Sequence, residues 1–465
     1  MTETTPAAAS KKSASLDIAT SIHPYTNLKL HQSEGPLVIT QGDGVYVIDE
    51  DGKRYLEGLA GLWCCSLGFS ERRLAEAAYR QMLTLPYYHT FASKATDVGI
   101  ALAEKLLSLA PRGLSKVFFA NSGSEANDTV IKLVWYYNNA LGRPRKKKIV
   151  SRMKGYHGVT VASASLTGLP NNHRDFDLPI PNILHVDCPH WYRFAQAGES
   201  EEAFATRLAE SLEQRILAEG PETIAALIGE PVMGAGGVIF PPATYWEKIQ
   251  RVLKKYDVLL IADEVICGFG RTANMWGSET YGLHPDILVC AKALTSGYMP
   301  LSAILLSEEI YGAMVRESEK IGVFAHGFTY SGHPVPSAVA LETLKIYEET
   351  DILSHVRAIA PRMQERLRGL GGHPLVGEAR GIGLIGAIEL VADKETKAPF
   401  EAKAAVGAYV AKRAQAHGLI VRAMGDVIGI CPPLIIKEEE IDLLFDRLGR
   451  ALDETLDKVR SGPRP

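Results

Sequence analysis

No stretch of the 465 residues is apolar over the roughly 18–20 positions that span a bilayer, so a protein built on membrane-spanning helices is excluded. Charge of one sign is missing too. Fifty Lys and Arg stand against 54 Asp and Glu, a net charge of −4, which leaves no basic footprint for nucleic acid or an anionic membrane surface. Cysteine is scarce: Cys64, Cys65, Cys188, Cys267, Cys290 and Cys431. Their spacing fits neither a zinc site nor a disulfide scaffold, and adjacent Cys64 and Cys65 rarely bridge. No metal is expected, and a reducing cytoplasm is the simplest compartment. Residues 1–20 lack the apolar core of a signal peptide and read as a disordered polar tail. No internal repeat is visible. What remains, 46% hydrophobic and 22% charged, is ordinary globular composition.

The stretch 37–57 alternates in period two around glycine turns and predicts a hairpin. Helical patterns follow at 70–86 and 95–110. Short apolar strands then alternate with helices: 116–120, 147–151, 161–166, 182–187, 224–229, 258–263, 286–291 and 301–306. Their unbroken apolar character suits strands covered on both faces, as in α/β proteins. A helix is expected near 335–370, then a strand at 383–390, a helix at 400–417, a strand at 419–423 and a last helix at 437–459. The domain reading is 1–20 tail, 21–65 as the N-terminal part of a small domain, 66–330 as the large domain and 331–465 as the C-terminal part of the small one. Residues 381–386 match GxGxxG, but that fingerprint needs a helix after it. A strand follows here, so the segment reads as a turn.

Within LVCAKALTSGYMPLSA, Lys292 ends an apolar run. A lysine there either snorkels to water or offers a reactive amine, since burial favours the neutral form, which can condense with an aldehyde. Asp263 ends another buried strand, VLLIAD, and open α/β sheets bind ligands at strand ends. In ANSGSEAND, Ser122 and Glu125 form a capping box, while Ser122, Gly123 and Ser124 present N–H groups and hydroxyls where a phosphate binds. Tyr156, between glycines in GYHG, is either a turn residue or a platform for a planar ligand. Phosphate cradle, carboxylate, flat ring and amine together describe pyridoxal 5′-phosphate.

GLAGLWCCSLGF, FFANSGSEAND, GYHG, GEPVMGAGGVIFPP, LLIADEVICGFGRT, ILVCAKALTSGYMPLSA and HGFTYSGHP occur in this order. The chain resembles a class III aminotransferase of the fold type I pyridoxal-phosphate enzymes, in the ω-amine or ω-amino acid:pyruvate branch. The resemblance implies an α/β fold: a large central domain with a mixed, mostly parallel sheet, plus a smaller α+β domain from both chain ends. It implies that Lys292 tethers the cofactor and shuttles a proton, and that Asp263 pairs with the ring nitrogen. Ser122, Gly123 and Ser124 would bind the phosphate, Tyr156 and Val265 would pack on the two ring faces, and His157 and Glu230 would support the cofactor. Thr329 would reach the phosphate of a neighbouring subunit, making a homodimer, or a tetramer in which two dimers pair, with composite sites.

Tyr25, Leu62, Trp63 and Phe91 match positions that line the family's substrate pocket. Arg422 matches an arginine that holds a substrate carboxylate, a task its planar fork suits. Ala235 stands where related branches carry a glutamate that pairs with that arginine. Its methyl group favours pyruvate over 2-oxoglutarate as acceptor, with a small-molecule primary amine or ω-amino acid as donor, in a ping-pong scheme. Other readings are a diaminopelargonate-type or 2-oxoglutarate-dependent aminotransferase, an aminomutase or decarboxylase on the same scaffold, a dehydrogenase on the glycine-rich segment, and a non-catalytic scaffold.

Overall fold

The computed structural model describes residues 6–461. Strands β1 (Ile39–Asp43), β2 (Tyr46–Asp49) and β3 (Arg54–Glu57) form an antiparallel meander turning at Gly44 and Gly52. Seven strands follow through the middle of the chain: β4 (Leu114–Ala120), β5 (Lys148–Arg152), β6 (Ile183–Val186), β7 (Ile224–Gly229), β8 (Leu259–Asp263), β9 (Ile287–Cys290) and β10 (Ser302–Ser307). They make one sheet in the order β4-β10-β9-β8-β7-β5-β6. Only β10 runs against its neighbours, so the sheet is mixed and mostly parallel. Every residue of β7 and β9 is buried, as expected for strands with helices on both faces.

The chain's last third adds β11 (Val376–Ile382), β12 (Ile385–Leu390), β13 (Leu419–Ile420), β14 (Arg422–Met424) and β15 (Val427–Ile430). The order β11-β12-β15-β14 closes a second sheet, while β13 leaves it to pair in parallel with β3. That pairing joins the two ends of the chain. The GxGxxG segment is the β11–β12 hairpin, Gly383 taking φ 54 at its turn, so no helix follows it.

Several expectations need correction. Residues 161–166 form a helix, Val161–Leu166, not a strand. Ser163, Ala164, Ser165 and Leu166 are all buried there, so one apolar face never showed in the pattern. Part of the predicted disordered tail is a helix, Pro6–Thr20; residues 1–5 lie outside the described range. The alanine-rich stretch has high helix propensity, and Asp17 ties its end to His23 (2.8 Å) and His31 (3.1 Å). The single helix expected near 335–370 is two, Pro334–Glu349 and Ile352–Gly369. They are separated by Asp351, whose φ of 47 breaks the first and whose carboxylate caps the second at Ser354 N–H. Strand β11 was not foreseen at all.

Candidate active site

The carboxyl ends of β5, β7, β8 and β9 meet at one edge of the seven-stranded sheet, and each carries polar groups into the same cavity of about 500 Å³. Open parallel sheets bind ligands at this edge because strand ends deliver side chains and helix N-termini there together. Asp263 closes β8 and is 3% exposed. Its Oδ2 accepts from Asn127 Nδ2 (2.9 Å) and His157 Nδ1 (2.8 Å), and its Oδ1 accepts from Val265 N–H (3.1 Å). Those donors fix the carboxylate's direction and satisfy its buried oxygens.

Lys292 follows β9, the strand beside β8, and lines the same cavity. It is half-buried rather than fully buried, because the cavity opens on it. Its φ of 49 is a left-handed conformation that side chains rarely adopt. Such strain persists where surrounding structure imposes it, and it clusters at functional sites. Its ammonium has neither ion pair nor hydrogen bond among the described residues.

Opposite, the helix Gly123–Ala140 points its N-terminus into the cavity. Ser122 caps it, accepting from Glu125 N–H at 3.2 Å. The capping box is modified: Glu125 reaches back to Asn121 N–H (2.9 Å), one residue further than expected. A Cβ on Gly123 would lie 3.2 Å from both γ-carbons of Val265, so a side chain there would crowd Val265 and narrow the approach. Ser124 Oγ accepts from Val159 N–H (3.1 Å), tying the helix start to the turn that carries Tyr156 and His157.

Glu230, 3% exposed, follows β7. Its oxygens accept from Tyr156 N–H (3.0 Å) and Gly234 N–H (2.8 Å), so one buried carboxylate positions both the Tyr156 turn and the loop of Ala235. Burial pushes the Glu230 carboxyl up from its ordinary range. Burial likewise raises the Tyr156 phenol, with Tyr25 adding to it, so the phenol stays protonated. The far wall of the cavity comprises Tyr25, Leu62, Trp63, Ala235 and Arg422. The Tyr25 ring lies edge-on to Tyr156, centroids 6.5 Å apart. Arg422 opens β14 and pairs with no carboxylate among the described residues.

Two expected site residues lie elsewhere in the chain. Phe91 is exposed and packs toward Gly327, and Thr329 is exposed with its carbonyl accepting from Tyr87 Oη at 2.8 Å; neither lines this cavity. Conversely, Asn127 was missed. It is 1% exposed on a helix face shared with Ala126 and Val130, and its amide also donates to the His157 carbonyl at 2.7 Å. An asparagine on an apolar helical face was the available signal.

The residues fit a planar, anionic, aldehyde-bearing cofactor. Asn127 Oδ1 and His157 Nε2, both buried in cavity-lining residues, lack hydrogen-bond partners among the described residues. An amine, a buried carboxylate and a helix N-terminus surround one volume of ordinary ligand size.

The model of the class-III aminotransferases matches residues 29–452. The chain belongs to that family, and its fold is that of the fold type I pyridoxal-phosphate enzymes. The family uses pyridoxal 5′-phosphate, and the omega transaminase of Pseudomonas jessenii, solved in complex with PMP, is 59% identical. It has a TM-score of 0.95 and covers 97% of this chain and 99% of its own. Gamma aminobutyrate transaminase 3, chloroplastic, of Solanum lycopersicum is 56% identical over 425 residues, 91% of this chain and 82% of the relative. Vanillin aminotransferase of Capsicum chinense is 52% identical over the same share of this chain and 93% of its own. No helix among the described residues is long and apolar enough to cross a membrane.

Proposed function

We propose that this aminotransferase moves an amino group from a primary amine or ω-amino acid to pyruvate by a ping-pong reaction at the cavity between β5, β7, β8 and β9. The observation that carries the reading is the joint placement of Lys292, Asp263 and the Ser122–Ser124 helix start around one volume. When bound, the cofactor supplies an electron sink for the carbon that loses its proton. Asp263, held by Asn127 and His157, would pair with the ring nitrogen. Ser122, Gly123 and Ser124 hold the phosphate. Tyr156 and Val265 confine the ring, and Glu230 sets the position of Tyr156. Lys292 Nζ tethers the cofactor, then takes the substrate proton and returns it. Walls of low polarity limit competing water.

For the acceptor, Arg422 binds the keto acid's carboxylate. Ala235 supplies no side-chain carboxylate to neutralise it, and the loop from Glu230 to Gly234 holds that alanine at the cavity wall. A thermostable omega transaminase variant engineered for asymmetric synthesis of enantiopure bulky amines supports the wall's role. Its changed tryptophan, phenylalanine and arginine fall five positions below Trp63, Phe91 and Arg422 in that protein's numbering. The relatives named for γ-aminobutyrate and vanillin are compatible with a donor range from ω-amino acids to aryl-alkyl amines.

Phe91 and Thr329 belong, in this reading, to the neighbouring subunit's site in a homodimer. Their segments carry exposed apolar side chains, including Leu83 (70% exposed) and Val323 (61% exposed), which a second copy would cover. The proposed division into a large domain, 66–330, and a small one from both ends is supported by the β3–β13 pairing, which brings the chain's two ends together. The cytoplasm remains the proposed compartment, in keeping with six free thiols. Incubating the protein with a panel of amines against pyruvate and 2-oxoglutarate tests the reading. Stoichiometric alanine formation supports it; glutamate formation alone would replace pyruvate as the acceptor, and absence of any amino transfer would overturn the proposal.

A further inference from the structure

The segment that carries Leu62 and Trp63 is an irregular turn. Ala60, Gly61 and Trp63 all take positive φ, at 49, 68 and 64. Non-glycine residues hold such angles only where something imposes them. Bonded to this turn is Glu57, the last residue of β3, 3% exposed. One carboxylate oxygen accepts from Leu59 N–H at 3.1 Å and the other from Gly61 N–H in a short contact. No cation pairs with it among the described residues. The same turn is stitched to the strand leading into Arg422: Gly58 N–H donates to the Ile420 carbonyl (2.9 Å), and Cys431 N–H donates to the Gly58 carbonyl (2.7 Å). On its other side lies a separate groove lined by Glu57, Gly61, Phe69 and Ile420, so the wall has space behind it.

Resting on the transaminase reading above, we infer that Glu57 is a positioning residue. Its carboxylate holds the Leu62–Trp63 wall in place and so sets KM and the tolerance for bulky amines, without touching the reacting atoms. A carboxylate offers acceptors to both N–H groups at once, whereas a carboxylic acid turns one oxygen into a donor facing an N–H. Burial pushes the Glu57 carboxyl up to about 7, against the lowering effect of its two backbone bonds. The titratable groups facing it are thiols: Cys64 and Cys65 on its own segment and Cys431 from the end of β15. Burial raises all three, Cys65 to about 12 and Cys431 to about 11, so they stay neutral while Glu57 titrates. The wall is therefore firm above pH 7 and loosens below it.

The test uses the holoenzyme labelled with 5-fluorotryptophan, the Trp63 resonance being assigned by loss in Trp63→Phe. In the native protein that resonance shifts with a midpoint near pH 7, and in Glu57→Gln it does not. With a bulky aryl-alkyl amine, Glu57→Gln raises KM about tenfold while kcat stays within twofold; with a small amine both stay within twofold. A Trp63 resonance that is flat from pH 6 to 8.5 in the native protein overturns the inference whatever the variant does. So does a Glu57→Gln enzyme with unchanged KM for the bulky amine, or with kcat lowered and KM intact. If the native protein transfers no amino group at all, the functional reading fails, and the resonance titration still decides the role of Glu57.

Discussion

Replacing Trp63 separates packing from backbone strain. The side chain is 2% exposed and packs with Leu59, Val238, Ile266 and Ile385. Truncating a buried tryptophan to alanine costs about 3–5 kcal/mol. The φ of 64 adds a second effect. An L-residue in the left-handed region carries about 1–2 kcal/mol of strain that glycine avoids. Glycine loses about 0.5–1 kcal/mol to alanine through chain entropy, so after that offset Trp63→Gly should be more stable than Trp63→Ala by roughly 0.5–1 kcal/mol. Both variants enlarge the cavity and should raise kcat/KM for bulky amines at the expense of small ones. Thermal unfolding of the two holoenzymes side by side measures the difference. If alanine equals or exceeds glycine, the strain assigned to this turn does not exist.

Asp263→Asn keeps the shape but removes the charge and turns an N–H toward the donors of Asn127 or His157; single-turnover rates with an amine should fall about 100- to 1000-fold, and a rate near the native one would mean that another group serves the ring nitrogen. Arg422→Leu should lower kcat/KM for pyruvate about 10- to 100-fold, the loss of one charged hydrogen-bond pair, while leaving the half-reaction of an uncharged amine unchanged; equal losses in both halves would contradict its role. Glu264, fully buried and bonded to Gly277 N–H and Ser278, has its carboxyl raised by burial from 4.5 to about 7. The folded protein holds that proton more tightly than the unfolded chain, so stability present below about pH 4.5 is progressively lost as pH rises to about 7, by up to about 3 kcal/mol. Glu264→Gln should flatten that slope in unfolding experiments between pH 5 and 7.5, and an unchanged slope would assign it elsewhere.

The sheet was legible because β7, β8 and β9 are covered on both faces and read as unbroken apolar runs. Asp263, at the end of β8, and Lys292, just beyond β9, stood out as charges where such runs stop. The helix at 161–166 was not legible, since four of its six residues are buried and small side chains show neither period. Glu57 gave no signal either: a glutamate ending a strand beside Gly58 looks like any surface turn, and only the fold reveals that it is enclosed. Phe91 and Thr329 entered through family resemblance alone, and one chain does not bring them to the cavity. Asn127 is readable as a polar residue in an apolar helical stripe.

The account depends most on which amine carries the cofactor. Borohydride reduction of the protein with pyridoxal 5′-phosphate, followed by proteolysis and peptide mass spectrometry, locates it directly. One phosphopyridoxyl group on Lys292, lost in Lys292→Ala, is the predicted result. A chain that takes up no label, or takes it on another lysine while Lys292→Ala still turns over, would contradict it.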